Sequence, residues 1–190
     1  MIKVLFAASE CVPFVKTGGL ADVVGALPPI LHQQDVDVRV ILPLYAEIPA
    51  VYREQMTDVV DFEIALGWRK QYCGIKMLIY RDVTYYFVDN PYYFDRPYVY
   101  GLGGDEWERF GFFSRAVLNA LPLIHFQPDI LHCHDWQAGM IPALCKIQYA
   151  HLPYYADMRS MLTIHNLQYQ GVFPRKEVQD CLGLGDALFT

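Results

Sequence analysis

Three short stretches bring together residue types that could do chemistry. The first is Lys16-Thr17-Gly18-Gly19-Leu20-Ala21-Asp22. It follows an apolar run, Ile2 to Ala8, and opens a segment with helical spacing, Leu20 to His32. A cation and two glycines at a strand-to-helix corner suit an anionic ligand. Glycine lets backbone N–H groups approach closely, and a helix N-terminus carries partial positive charge. The lysine precedes the glycines, so this is neither a GxxxxGK[ST] loop nor a GxGxxG fingerprint. The plain alternative is a tight turn with a solvated lysine. Asp22 reads from the sequence as a first-turn acid that stabilises its own helix.

The second stretch is His132-Cys133-His134-Asp135. Histidines at i and i+2 share one strand face, a spacing that can bind zinc, with His165 as a third ligand. Against this, His134 falls at or beyond the strand end. The His-Asp-Trp run reads as a turn into a helix that Asp135 would cap, and no metal is assigned. The third stretch is His165-Asn166, at the close of a later strand. A buried, hydrogen-bonded histidine is its plain alternative. Two polar tips where a sheet opens argue for a site. Among the tyrosines from Tyr85 to Tyr100, most suit core and loop packing. Aromatic rings with polar tips also suit sugar faces, and Tyr100, beside Gly101, is the one selected for such contact.

The elements that must position these stretches alternate. Ile2–Ala8 reads as a strand covered on both faces. Leu20–His32 reads as a helix whose end Pro28 and Pro29 should kink or reorganise. Asp37–Leu42 is a second strand, stopped by Pro43, and the unit predicts parallel pairing with a right-handed crossover. Val59–Trp68, Tyr72–Tyr80 and Thr84–Asp89 are strand-like runs joined by short links at Arg69-Lys70 and Arg81-Asp82. Short links favour antiparallel neighbours, an excursion at one edge of the main sheet. Asn90–Gly104 reads as a loop. Asp105 is the expected N-cap of a helix reaching Ile124. Asp129–Cys133 is a strand, Gln137–Tyr149 a helix, and Ser160–His165 a strand. The pattern predicts a doubly wound, Rossmann-like three-layer α/β domain, mostly parallel, with an antiparallel β insert. Such sheets bind ligands at the carboxyl ends of their strands, where all three stretches fall.

With 54 % apolar and 19 % charged residues, the 190-residue chain has the composition of a globular core, in one generous domain or one domain with an insertion. A net charge of −6 without a basic stripe gives no reason to expect nucleic acid. An anionic ligand would need local donors against that field. Five scattered cysteines without a CxxC pair suggest reduced thiols and a cytoplasmic home. No apolar run approaches the ~20 residues of a membrane helix.

SECVPFVKTGGLADVVGALP resembles the N-terminal signature of bacterial glycogen synthases and plant starch synthases. Ile41-Leu42-Pro43-Leu44-Tyr45, the YFDRP loop near Asp95, ERFGFFSRAVL from Glu108, HCHDWQAG from His132 and TIHNLQYQGVFP from Thr163 follow in that family's order. Together they cover most of the chain. The resemblance implies the N-terminal, acceptor-side half of a two-domain GT-B glycosyltransferase. Such an enzyme moves glucose from ADP-glucose to the non-reducing end of an α-1,4-glucan, with retention and without a cofactor. It implies that Lys16, Thr17, Gly18, Gly19 and Asp22 meet the sugar nucleotide, and that Asp135, Trp136 and Tyr100 line the acceptor side. His165 would contact the transferred glucose near its anomeric centre, with Asn166 holding it and Lys16 assisting catalysis. Many members carry histidine after the tryptophan, where this chain has Gln137.

The apolar stop at Leu182–Thr190 reads as a cut, with a second domain of similar build expected beyond it. That domain would supply the main phosphate cations and most of the nucleotide pocket. This stretch alone is then expected to be inactive and to bind ADP-glucose poorly. Two other classes stand beside this reading. One is a zinc-dependent hydrolase using His132, His134 and His165; the other is a non-catalytic glucan-binding module.

Overall fold

In the computed structural model, which describes residues 1–101 and 104–186, the first apolar run forms β1 (Lys3–Ala7). Leu5, Phe6 and Ala7 are completely buried, because β1 has a parallel neighbour on each side. One neighbour is β2 (Asp37–Pro43), the other β6 (Ile130–His134). Phe6 sits opposite Val40 on one side and His132 on the other. Beyond β2 lie β5 (Val83–Asp89), β4 (Arg69–Tyr80) and β3 (Thr57–Leu66); beyond β6 lies β7 (Arg159–Thr163). The seven-stranded order is β3-β4-β5-β2-β1-β6-β7. All pairs from β5 to β7 are parallel, while β3 and β4 form the antiparallel excursion at one edge.

This order places the reversal of chain direction between β1 and β6. The β1-to-β2 and β6-to-β7 crossovers run in opposite directions across the sheet and put their helices on opposite faces, and a crevice opens between the ends of β1 and β6. α1 (Gly19–His32) leaves β1 and packs on β2. It continues through Pro28 and Pro29 to His32 rather than stopping at them. Both prolines lie in its last turns, and Pro28 is buried, so packing holds the end in place of the missing N–H bonds. α4 (Glu106–Leu123) is buried along most of its length. Asp105 precedes it but makes no side-chain cap; its carboxylate instead takes both arms of Arg96 at 2.8 and 2.7 Å.

Other differences from the sequence reading are local. The β3–β4 turn is Gly67-Trp68, with Gly67 at φ 56°, so Arg69 and Lys70 pair within β4. Arg81-Asp82 is the β4–β5 turn, both residues being left-handed. Two one-turn helices, α2 (Ala50–Arg53) and α3 (Pro91–Phe94), lie between strands, the second inside the expected loop Asn90–Gly104. Asn90 caps α3 by accepting from the Tyr93 amide at 2.9 Å. The helix expected over Gln137–Tyr149 starts earlier and is segmented: α5 (Asp135–Ala138), α6 (Met140–Leu144), and a π-helical turn over Cys145–Tyr149. α7 (Arg175–Leu182) closes the described chain against α4. No helix among the described residues is long and apolar enough to cross a membrane.

Candidate active site between two strand-to-helix corners

The corner after β1 is anchored by Phe14. Its ring lies 4.9–5.8 Å from those of Tyr52, Tyr80, Tyr85 and Phe87, which pins the loop to the core. The loop's free end is organised by one carboxylate that sequence reasoning passed over. Glu10, 3 % exposed, accepts from the Thr17 amide, the Thr17 hydroxyl at 2.8 Å, the Gly18 amide at 3.1 Å and the Tyr100 hydroxyl at 2.7 Å. The Tyr100 oxygen in turn lies 2.6 Å from the Ser9 hydroxyl. Burial, with Tyr45 and Glu10 nearby, pushes the Tyr100 phenol well above its ordinary range, so it stays a neutral donor. The Gly18 amide is therefore already committed, contrary to the expectation that it is offered to an anion. Gly18, the N-cap of α1, provides no side-chain cap, so the first-turn amides of that helix remain the corner's donors.

Neither glycine is demanded by the fold. Gly18 has φ −146°, which any residue adopts, and a Cβ on Gly18 or Gly19 would meet nothing within 4 Å. The bare backbone faces open space. Lys16 lies just outside, bonded to both oxygens of Asp22 at 2.7 and 2.8 Å, and both side chains are about half exposed. Asp22 thus neutralises the lysine.

The corner after β6 is built differently. Asp135 stands in the left-handed region at φ 55°, a conformation that aspartate tolerates better than most residues. It does not cap α5; its Oδ1 accepts the backbone N–H of His165 at 2.7 Å. That bond ties the end of β6 to the segment leaving β7. His165 and Asn166 lie two and three residues past the end of β7, not inside the strand. Asn166 folds back to accept the Gln168 amide at 2.9 Å. Trp136 meets Phe110 edge-on and Phe173 at a tilt, with ring centroids 5.0 and 5.2 Å apart. Gly171 packs on its indole so closely that a Cβ there would come within 2.5 Å.

The histidines form a row, not a ligand set. His132 Nε2 lies 2.7 Å from the Thr163 hydroxyl, and His134 Nδ1 lies 2.9 Å from His165 Nε2. Two ring nitrogens aimed at each other do not converge on an ion. No group of three or more His, Cys, Asp or Glu among the described residues could hold a metal. Burial, then the neighbouring His132 and His165, lowers His134 to about 3, and burial also lowers His132. At neutral pH His134 is therefore uncharged.

Both corners open on one cleft of about 1100 Å³. Thr17, Gly18, Gly19, Tyr100, Asp135, Trp136, His165 and Asn166 line it; Lys16 and Asp22 do not. Trp136 and Phe173 line both this cleft and an apolar hollow of about 470 Å³ whose other walls include Trp107, Phe110, Met140 and Leu162. Tyr100 reaches the cleft with its ring while its hydroxyl is occupied by Glu10 and Ser9, so it braces the glycine corner. Glu106, also missed in the sequence, lines the cleft and pairs with the fully buried Arg109. Arg109 holds the Tyr93 and Val99 carbonyls at 2.8 and 3.3 Å, which fixes the loop that delivers Tyr100. The charged lining among the described residues is Glu10, Glu106 and Asp135, without a lysine or arginine.

The sequence profile described as "Starch synthase catalytic domain" matches residues 3–190. The chain belongs to the starch synthase catalytic domain family. It is 58 % identical over 188 residues to a glycogen synthase of Desulforamulus reducens, covering 99 % of this chain and 39 % of that protein. A glycogen synthase of Anoxybacillus flavithermus is 54 % identical over 189 residues, covering 100 % of this chain and 39 % of its own length. The chain thus spans about two fifths of the curated relatives it matches. Among solved structures it is similar to the catalytic domain of starch synthase IV from Arabidopsis thaliana bound to ADP and acarbose. The TM-score is 0.86 at 30 % identity, over 97 % of this chain and 37 % of that one. The doubly wound fold with its antiparallel insert is therefore that of the N-terminal half of a starch synthase catalytic domain.

Proposed function

We propose that the protein containing this domain transfers glucose from ADP-glucose to the non-reducing end of an α-1,4-glucan, with retention at the anomeric carbon. The observation that carries this reading is the convergence on one cleft of a bare-backbone glycine corner, His165-Asn166 and Asp135-Trp136. The names of the relatives and the ligands of the Arabidopsis structure support it.

The charge of the lining assigns the roles. Carboxylates accept hydrogen bonds from neutral sugar hydroxyls and favour positive charge on a sugar ring at the transition state. They disfavour a pyrophosphate. The domain therefore acts as the sugar side of the reaction. The α1 N-terminus helps with the departing phosphate, together with Lys16 once it is released from Asp22. The remaining phosphate cations come from a second domain, and closure of the two excludes water. His165 donates to a hydroxyl of the transferred glucose, Asn166 shapes its segment, and Asp135 and Trp136 form the acceptor wall. Five buried free thiols fit a cytoplasmic protein.

The test is incorporation of labelled glucose from ADP-glucose into glycogen by the whole gene product. His165→Ala should lower kcat about 10²–10³-fold, and residues 1–190 alone should be inactive. Transfer by the isolated domain at the rate of the whole protein, or no transfer by the whole protein, would overturn the reading.

A further inference from the structure

We propose that His134 is a positioning residue that fixes the tautomer of His165, so that His165 presents an Nδ1–H donor to the cleft. The proposal deepens the reading above and rests on it for its catalytic meaning, but not for its geometry.

His134 is completely buried at the end of β6. Its ring is stacked on Phe6 with centroids 5.0 Å apart, and His132 packs on it at 4.1 Å. It has no room to turn. Its Nδ1 meets His165 Nε2 at 2.9 Å, while its Nε2 is buried without a hydrogen-bond partner among the described residues. His132 is engaged elsewhere, on the Thr163 hydroxyl.

A neutral imidazole carries one proton for two nitrogens. On Nε2, the proton would be a buried N–H without an acceptor, the rarer kind of orphan in proteins. On Nδ1, it bonds to His165, and only an acceptor lone pair is left unmatched. The uncharged state of His134 noted above agrees with this choice. With His134 Nδ1 donating, His165 Nε2 must be the acceptor, and the proton of a neutral His165 then sits on Nδ1. The Asp135 bond to the His165 amide fixes the backbone at the same point. His165 is thus held at two places, its ring at Nε2 and its backbone at the amide, with Nδ1 left as the nitrogen available to a ligand. Such a histidine donates to a sugar oxygen and does not accept a proton from it.

The experiment uses the whole gene product with ¹⁵N-labelled histidine. Long-range ¹H–¹⁵N correlation reads which nitrogen of His165 bears the proton. The expected result is Nδ1–H; an Nε2–H His165 would overturn the proposal and leave glucosyl transfer untouched. In parallel, His134→Leu should yield mixed tautomers at His165 and an about tenfold lower kcat with little change in KM. His134→Asn, whose amide nitrogen occupies the place of Nδ1, should restore the Nδ1–H signal and most of kcat. Equal kcat in the Leu and Asn variants would refute the positioning role. Should the Leu variant fail to fold, the wild-type tautomer and the Asn variant still decide. A protein with the expected tautomer but without transferase activity would sink the functional reading alone.

Discussion

Gly18 lies on the corner after β1 and Gly171 packs on the Trp136 of the corner after β6; both line the cleft, in opposite settings. Gly171 sits at φ 61° with the Trp136 indole 2.5 Å from where its Cβ would be. Its neighbours leave room for no side chain. Gly18 has an ordinary extended backbone and empty space around it. Nothing among the described residues requires a glycine there, and its bare backbone leaves this edge open to the cleft. The wall after β6 is set by internal packing and a left-handed Asp135. The wall after β1 is an open backbone edge, held from behind by Glu10.

The sharpest separation should come from Gly171→Ala. Left-handed backbone and overlap with Trp136 together should cost about 3 kcal/mol of stability. Thermal denaturation at wild-type midpoint would show that Trp136 can move aside. Glu10→Gln should be next, at about 2 kcal/mol, because charge-assisted bonds to Thr17, Gly18 and Tyr100 are weakened together. Hydrogen exchange confined to faster opening of residues 16–19 would locate that loss, and unchanged exchange would remove Glu10 from its bracing role.

The pH response probes the β6 side alone. Folded His134 resists protonation down to about 3, whereas the unfolded side chain protonates near 6.5. The unfolded state therefore binds more protons across this window, and stability must fall as the pH drops through it, by up to about 1.4 kcal/mol per unit. The buried His132 acts in the same direction. The His134→Leu variant should show a shallower loss between pH 6.5 and 5; identical slopes would contradict the buried neutral imidazole. Smallest in stability is Gly18→Ala, within roughly 0.5 kcal/mol, with the KM for ADP-glucose raised about tenfold by the methyl group in the cleft. A variant with normal KM would show that no ligand approaches this edge closely.

The sheet was largely legible because buried parallel strands read as continuous apolar runs, and the antiparallel excursion because its links are short. The corners were legible as places where strands give way to helices, because glycines follow the first apolar run and a His-Asp-Trp run precedes helical spacing. What escaped depends on distance in the chain. Glu10 has no local signature; its meaning comes from Thr17 and Gly18 folding back on it, and from Tyr100, 90 residues away. Asp135 carried a local capping signature, yet its carboxylate bonds to His165, 30 residues on. Arg69-Lys70 looked like a polar turn, but Gly67 could take the left-handed backbone and moved the bend two residues earlier. Nothing in the helical pattern marked Arg109 as a fully buried brace for the Tyr100 loop.

The carboxylate lining also bears on how a catalytic cycle would end. In the transfer proposed above, a hollow bordered by Glu10 and Asp135, with Glu106 already paired to Arg109, would repel the anion released as the sugar–phosphate bond breaks and would stay hospitable to the uncharged polymer. Nucleotide egress and retention of the lengthened chain would then follow from one electrostatic bias.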